Sequence, residues 1–496
     1  MAFDLGQSLQ TGIINVIFGW NLLICAIGVF AGTLIGVLPG LGPFVTISIL
    51  LPWVYAAGDA NSALILLTSI YYGAQYGSST SSILLNLPGE PGSVITTIDG
   101  YALTKQNKAE MALTAAAVSS FIAGTITTVV VAIFALPLSR VALEFGPAEY
   151  TCLMVLSLTS ATLLSSSNFS KSFLTLVLGI LVGLIGIDVN SGVERFTFGI
   201  DALIDGVPFG ILAMGLFGIA ELLLHNNTTA YMSNSLHPMQ ISWRMIRDTS
   251  QAVIAPALRG TTIGSFLGML PGAGLVTASF VSYAVEKRIS AMPSKFGKGA
   301  IEGVAAPESA NNAAAQTALI PSLSLGIPAS PTMALIIAAL LSLGIQPGPN
   351  LIPENPGLFW GLIISMWVGN CMLLILNLPL INIWVQILKI PHVYLTPIVV
   401  GICVAGAYFI DYSWFNVILL LIATIIGLFL KITNCDAIPL VVGFVIGPKL
   451  EEYFVRSLTI SNNNWNIFLD SSISVMCVLL SIIILIVKVR KQKGLQ

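Results

Sequence analysis

The chain reads as an all-α, polytopic helical membrane protein. It has two internally repeated halves, expected to be inverted relative to each other, with broken or re-entrant helices. Three observations predict this. The first is composition: of 496 residues, 56% are hydrophobic and 8% charged, against about 25% charged residues in a soluble domain. Apolar runs near the ~20 residues that span a bilayer recur from end to end, whereas a β-barrel would show short alternating segments. The second is a stretch present twice. Gly28, Gly32, Gly36, Pro39, Gly40 and Gly42 recur at a constant offset as Gly260, Gly264, Gly268, Pro271, Gly272 and Gly274. Spacing by four lines the glycines along one helix face, which in lipid lets another helix approach closely. The Pro-Gly-x-Gly end then stops the helix. The third is a second shared motif, in which Ser82, Pro88 and Pro91 align with Ser322, Pro328 and Pro331. Helices broken alike at matching points of two halves point to a transporter's binding site.

Taken in order, residues 1–19 form a short amphipathic lead-in. Apolar spans follow near 20–38, 43–57, 61–86, 109–138, 147–166, 171–187 and 207–225. A polar stretch, 226–250, contains Asn226, Asn227, Arg244, Arg247 and Asp248. It reads as a cytoplasmic linker between a first transmembrane repeat (1–225) and a second (251–496). The second repeat offers spans near 253–270, 274–286, 300–326, 331–345, 357–378, 393–410, 413–431, 436–448 and 470–489. Several are too short or too interrupted to cross fully, so about 12 to 14 crossings are expected, with re-entrant pieces. Basic residues cluster at Lys105/Lys108, Arg244/Arg247/Arg259, Lys287/Arg288/Lys295/Lys298 and Lys488/Arg490/Lys491/Lys493. The positive-inside rule places all four in the cytoplasm. Seven spans before the linker put the N-terminus outside, and an odd count per half makes the halves inverted. No Lys or Arg occurs in residues 1–104, so no basic signal-peptide region is present.

The remaining chemistry is sparse. Cys25, Cys152, Cys371, Cys403, Cys435 and Cys477 are scattered without metal-ligand or redox spacing and read as small apolar fillers. His225, His237 and His392 are too dispersed for a metal site. There is no His-Glu-x-x-His, Walker loop or nucleophile elbow, so neither ATP hydrolysis nor a resident cofactor or metal is expected. The net charge of -2 says little about partners, and no nucleic-acid partner is expected.

The hydroxyl-rich motif carries the functional reading. Ser78, Ser79, Thr80, Ser81 and Ser82 precede Asn86, Pro88 and Gly89; the second half supplies Asn311, Asn312, Ser322, Pro328, Ser330, Pro331 and Thr332. A helix break frees backbone groups that lipid cannot satisfy, so they must line a cavity or bind something. A helix starting at the break presents N–H groups suited to a carboxylate, Ser and Thr add donors, and carbonyls suit a hard cation such as Na⁺. These residues, with Pro39, Gly40, Gly42, Pro271, Gly272 and Gly274, form the expected substrate-binding set. A Ser/Thr run also packs helices through small residues; its duplication with the prolines favours a site. Charged groups inside a membrane are costly and usually functional. Glu308, inside an otherwise apolar span, is therefore the first candidate for coupling-ion or proton work. Glu90 and Asp99 are further candidates, or members of a cytoplasmic loop with Lys105. Asp188, Glu194, Asp201 and Asp205 read as a solvated outer loop rather than a docking surface.

These motifs resemble the large membrane subunit of the tripartite tricarboxylate transporter family. The residues that carry the resemblance are Gly36–Pro43, Tyr72–Pro91 and Asp99-Gly100-Tyr101 in the first half. In the second they are Gly268–Gly274, Gly303–Asn312 and Leu325–Pro331. The likeness covers about residues 10–490. It implies a secondary transporter in the bacterial inner membrane, with a small membrane subunit and a periplasmic substrate-binding protein as partners. It also implies uptake of citrate-like or other carboxylates, driven by an ion gradient with sodium the expected ion. Alternating access would bring the Pro39–Gly42 and Pro271–Gly274 breaks face to face across one cavity lined by Ser78–Ser82 and Ser322. An anion channel-like pore would also use backbone-lined breaks. An intramembrane enzyme would need a nucleophile–base pair or metal ligands, which the scattered histidines and cysteines do not supply.

Overall fold

The structure is a computed structural model. It describes residues 5–38, 43–56, 59–86, 88–142, 145–164, 167–188, 191–224, 239, 241–270, 274–387 and 392–493. The sequence-predicted positions Pro39, Gly40, Gly42, Pro271 and Gly272 lie outside the described residues, as does the linker stretch 226–238.

Apolar runs become helices almost throughout. The first half contains α1 (Leu5–Ile17), α2 (Asn21–Gly36), α3 (Pro43–Tyr55), α4 (Ala60–Leu85), α5 (Val94–Lys105), α6 (Ala109–Ala142), α7 (Pro147–Leu164) and α8 (Phe169–Gly183). A two-stranded antiparallel hairpin, β1 (Gly186–Ile187) and β2 (Glu194–Arg195), follows. The half closes with α9 (Phe209–Ala213), a π-helical stretch (Met214–Ile219) and α10 (Ala220–Leu224). The second half contains α11 (Trp243–Gly268), α12 (Gly274–Ile289), α13 (Glu302–Thr317), α14 (Leu319–Leu325), α15 (Pro331–Ser342), α16 (Leu351–Glu354) and α17 (Pro356–Asn377). It ends with α18 (Ile381–Ile387), α19 (His392–Asp411), α20 (Trp414–Ile432), α21 (Ile438–Ile460) and α22 (Ser472–Lys493). α11 starts at Trp243, capped by Ser242, whose hydroxyl accepts from the Met245 amide. The C-terminal end of the expected linker is therefore helical.

Three structural differences from the sequence reading have local causes. The expected span 300–326 is two helices, which share Ala318 as a cap, because Pro321 has no N–H to continue the ladder. Helix α5 was not expected as a separate element; its short run, with Asp99 and Lys105, has no long apolar stretch to announce it. The 207–225 span carries the π-helical stretch, where Gly215 packs against Leu420, Ala423 and Thr424. Among the described residues, three helices are long and apolar enough to cross a membrane alone: Ala109–Arg140, Pro356–Asn377 and Trp414–Ile432. The pair Gln10–Ile17 and Asn21–Gly36, bent by 66°, meets the same length and composition together, as a broken span or a re-entrant loop. Of the helices bearing the motifs, α13 has only 16 residues, and the hydroxyl run Ser78–Ser82 makes the second half of α4 polar.

The glycine faces pack as their spacing predicts. On α2, Gly28 lies against Leu66 and Ser69 of α4, Gly32 against the Ile70 backbone and Gly36 against Ala74. On α11, Gly260 lies against Ala306 and Ser309 of α13, Gly264 against Ala310 and Gly268 against Ala314. A Cβ at Gly32 or Gly264 would collide with a main-chain carbonyl oxygen of its partner, that of Ile70 or Ala310, so only glycine permits these contacts. The large apolar core draws mainly on α3, α4, α15 and α17, with a second cluster near the start of α6.

In the acidic loop, Arg195 donates two hydrogen bonds to Glu451 of α21, at 2.7 and 2.8 Å, and lies 3.3 Å from Asp188. Those bonds hold the guanidinium's pKa above its ordinary value, although partial burial works against the charge.

Candidate functional site

The site is built from α4, the break after it, α5 and α13. Helix α4 is capped at its start by Asp59, whose carboxylate accepts from the Asn61 and Ser62 amides. It ends at Asn86, which adopts the left-handed conformation with φ 59°. Glu90, itself in the extended conformation, leads through the turn Pro91–Ser93 into α5. Ser82 closes this break by donating to Ser93 Oγ at 3.0 Å, while Ser93 donates to the Glu90 carbonyl. The second-half break is formed alike. α14 ends at Gly326 with φ 70°, and Ser330 caps α15 ahead of Pro331 by accepting from the Met333 amide. Here the Ser322 hydroxyl accepts from the Ala329 amide across the break.

The first break is wired into the second half. Ser79 of α4 and Thr96 of α5 each donate to Glu308 of α13, one to each carboxylate oxygen, both at 2.5 Å. One turn on, Asn311 Nδ2 donates to Glu90 Oε1 at 2.5 Å and to Gln75 Oε1 at 3.0 Å. Asn312 Nδ2 donates to Ser120 Oγ of α6 at 2.8 Å. Glu90 and Glu308 are buried, and among the described residues no Lys, Arg or His bonds either one. A buried carboxylate normally needs such compensation. Beside this cluster, Tyr76, Ser79, Thr80, Ser120 and Asn377 line a cavity of about 10 Å³ with Leu113, Ala116 and Ala117, room for about one water.

Asp99 stands apart. It is fully buried, and its carboxylate accepts from the Gly297, Gly299 and Ala300 amides at 2.7–2.9 Å and from the Tyr283 hydroxyl at 2.8 Å. That geometry ties α5 to the loop before α13. Gln106 adds a bond to the Lys298 carbonyl.

Of the sequence-predicted residues, Ser79, Glu90, Glu308, Asn311 and Asn312 meet across the halves, and Thr80 faces the small cavity. Ser78, Ser81 and Ser82 donate to carbonyls of their own helix. Gly89 lies against Ser78 and near the Gly36 carbonyl, which sets the first break at the foot of the glycine face. Asn86 is exposed, and Pro88 and Thr332 are half-buried. Pro328, Ser330 and Ser322 are buried at the second break; among the described residues no hydrogen bond joins them to the cluster. Gly274 opens α12 with φ 63°. Sequence reasoning missed Gln75, Thr96, Ser120 and the bonds of Gln316 with Thr127 and Thr128. Lone amides in apolar or alanine-rich spans, such as Gln316 and Asn370, whose Oδ1 accepts from Tyr76 at 2.7 Å, are the signal that would have found such partners.

A many-helix bundle whose halves share a buried, hydroxyl-lined carboxylate cluster defines a class, the polytopic membrane proteins with an internal polar site. Comparison with known proteins is more specific. Residues 22–442 match the family described as the tripartite tricarboxylate transporter TctA family, and the chain belongs to it. It is 46% identical over 471 residues to an uncharacterized 52.8 kDa protein in the TAR-I ttuC' 3' region of Agrobacterium vitis, covering 95% of this chain and 93% of that one. It is 50% identical over 227 residues to an uncharacterized protein in the TAR-II ttuC' 3' region of the same organism, covering 44% of this chain and 94% of that protein. No solved structure matches. Membership implies the large subunit of a tripartite transporter, a membrane protein that works with partner subunits.

Proposed function

We propose that this subunit is the translocating core of a secondary active transporter importing tricarboxylates or related carboxylates, coupled to Na⁺ by alternating access. The observation that carries the reading is the buried cluster in which Glu308 of one half accepts from Ser79 and Thr96 of the other. Polar groups this expensive to bury are retained in membranes for ion or substrate work. The cavity beside them is far too small for a tricarboxylate, so substrate entry requires one half to move against the other around the site.

The two halves act as inverted repeats in this account. The equivalent packing of Gly28, Gly32 and Gly36 on α4 and of Gly260, Gly264 and Gly268 on α13 supports that reading. Both Pro-Gly-x-Gly ends belong to the substrate path with Ser78–Ser82, Asn86, Pro88, Gly89, Asn312, Ser322, Pro328, Ser330, Pro331 and Thr332. Glu308 and Glu90 serve the coupling ion, and Asp99 positions α5. The subunit resides in the bacterial inner membrane with its basic clusters facing the cytoplasm. It works with a small membrane subunit and a periplasmic binding protein that brings the carboxylate.

The test is uptake of radiolabelled citrate and a panel of other carboxylates into proteoliposomes holding the three components. It is run with and without an inward Na⁺ gradient. Concentrative uptake that collapses without the gradient is expected. Equilibration indifferent to every ion gradient would replace the carrier with a channel-like pore.

A further inference from the structure

We infer that the turn between α5 and α6 and the loop between α12 and α13 together form a binding site for an anionic phospholipid. The inference needs only that the chain lies in a bilayer, so it stands or falls apart from the carrier reading. Lys105 and Lys108 come from the first half, and Lys287, Arg288, Lys295 and Lys298 from the second; all are exposed. Basic loops on one face follow from the positive-inside rule, and cations in the last turn suit α5 and α12 as helix ends. Neither accounts for the joining of the two loops. Gln106 Nε2 donates to the Lys298 carbonyl at 2.7 Å, and the Asp99 carboxylate accepts from the Gly297, Gly299 and Ala300 amides. Tyr283, one turn before Lys287 on α12, donates to the same carboxylate and packs edge-on against Phe296, with ring centroids 5.4 Å apart. The backbone beneath the cations is thus fixed before any ligand arrives.

The positive charge is left open. Among the described residues none of these cations forms an ion pair, and Lys105 lies over the Tyr101 ring at 4.6 Å. The buried acids close by are taken: Asp99 by its four donors, and Glu286 by Arg259, which donates to it at 2.6 and 2.8 Å. Glu110 and Glu302, at the starts of α6 and α13, are too few to balance the rest. The apolar surroundings select a lipid over a soluble anion. Val281, Val285 and Ile289 follow one another a turn apart along α12 and are exposed, as is Ile98 of α5, which lies beside Gly297 of the loop. An exposed apolar stripe that ends in Lys287 and Arg288 matches a molecule with acyl chains along the helix and a phosphate at its end. Because the cations come from both halves, a lipid held there bridges them at this face.

The experiment uses the full-length chain purified in detergent and washed free of lipid. Its unfolding temperature is followed by tryptophan fluorescence during titration with phosphatidylglycerol, with phosphatidylcholine of the same acyl chains, and with glycerol 3-phosphate. Retained lipid is counted by native mass spectrometry. Phosphatidylglycerol should stabilise the chain saturably and stay bound, and the other two should do neither. The pair Lys295→Gln with Lys298→Gln, and the pair Lys287→Gln with Arg288→Gln, should each weaken phosphatidylglycerol by about tenfold or more. Arg244→Gln with Arg247→Gln removes as much charge from the start of α11 and should leave the affinity unchanged. Equal stabilisation by phosphatidylcholine overturns the site. So does stabilisation by glycerol 3-phosphate equal to that by the lipid, which would make the ligand a free phosphate. Unaltered affinity in both loop variants overturns it as well, and so does an equal loss in the α11 variant, which would mean that net charge alone attracts the lipid.

Discussion

At the first break the chain leaves α4 through Asn86 and enters the next helix through Glu90 and Pro91; at the second it leaves α14 through Gly326 and enters α15 through Ser330 and Pro331. The backbones coincide: φ is 59° and 70° at the two helix ends, and φ/ψ is −143°/161° and −146°/165° at the two caps. The chemistry does not. Glu90 reaches across to Asn311, whereas Ser330 caps its own helix. The first break carries an acidic side chain that bonds the other half, and the second is a self-contained turn. The comparison teaches that two breaks of the same shape differ at one position, and that this position decides whether the break reaches across to another helix.

The largest effect comes from exchanging those two residues. Ser330→Glu buries a carboxylate with no amide waiting for it and should destabilise the protein by about 3 kcal/mol or more. Glu90→Ser takes one acceptor from the buried Asn311 amide and should cost about 1–2 kcal/mol. Thermal unfolding in detergent reads both; equal costs would erase the distinction between the breaks. Next come the glycine faces. Gly32→Val and Gly264→Val both push a side chain into a partner's backbone, so each should cost about 2–3 kcal/mol. A large cost at one and none at the other would show that the helix pairs are not equivalent. At the left-handed caps, Gly326→Ala should cost about 1–2 kcal/mol, because its φ is positive and Cβ would also lie 2.7 Å from the Pro347 carbonyl oxygen. Asn86→Gly should be close to neutral. Tyr283→Phe removes one of the four donors to Asp99 and should cost about 1 kcal/mol. A cost far above that would mean the Tyr283 hydroxyl holds α5 in place more than the three backbone amides do.

Much of this was legible before any coordinates. The glycine faces announce themselves because close helix approach needs small residues at fixed spacing, and the breaks because proline and positive-φ residues have few other uses in apolar spans. Glu308 stood out as a lone acid among apolar neighbours. What stayed hidden is pairing at a distance. Nothing local to Thr96 tells that it meets Glu308, or to Gln75 that it meets Asn311, since those contacts depend on how α4, α5 and α13 cross. Asp99 illustrates the same limit. An acid beside a motif looks like an ion ligand, yet its oxygens are taken by the amides of residues 297, 299 and 300, a loop whose own sequence, Gly297-Lys298-Gly299, signals only a turn. The hydroxyl run is expected to line one cavity, but helical geometry sends Ser79 to Glu308 and Ser82 to Ser93, while Ser78 and Ser81 bond their own backbone.

The central claim is that the Glu308 cluster couples an ion gradient to carboxylate movement. The most direct test compares wild-type and Glu308→Gln systems in proteoliposomes for two activities, Na⁺-driven accumulation and exchange of labelled for unlabelled substrate at equal Na⁺. The account predicts that the wild-type system accumulates substrate above the external concentration. Glu308→Gln should lose accumulation while keeping measurable exchange. Accumulation by Glu308→Gln equal to wild-type would contradict it.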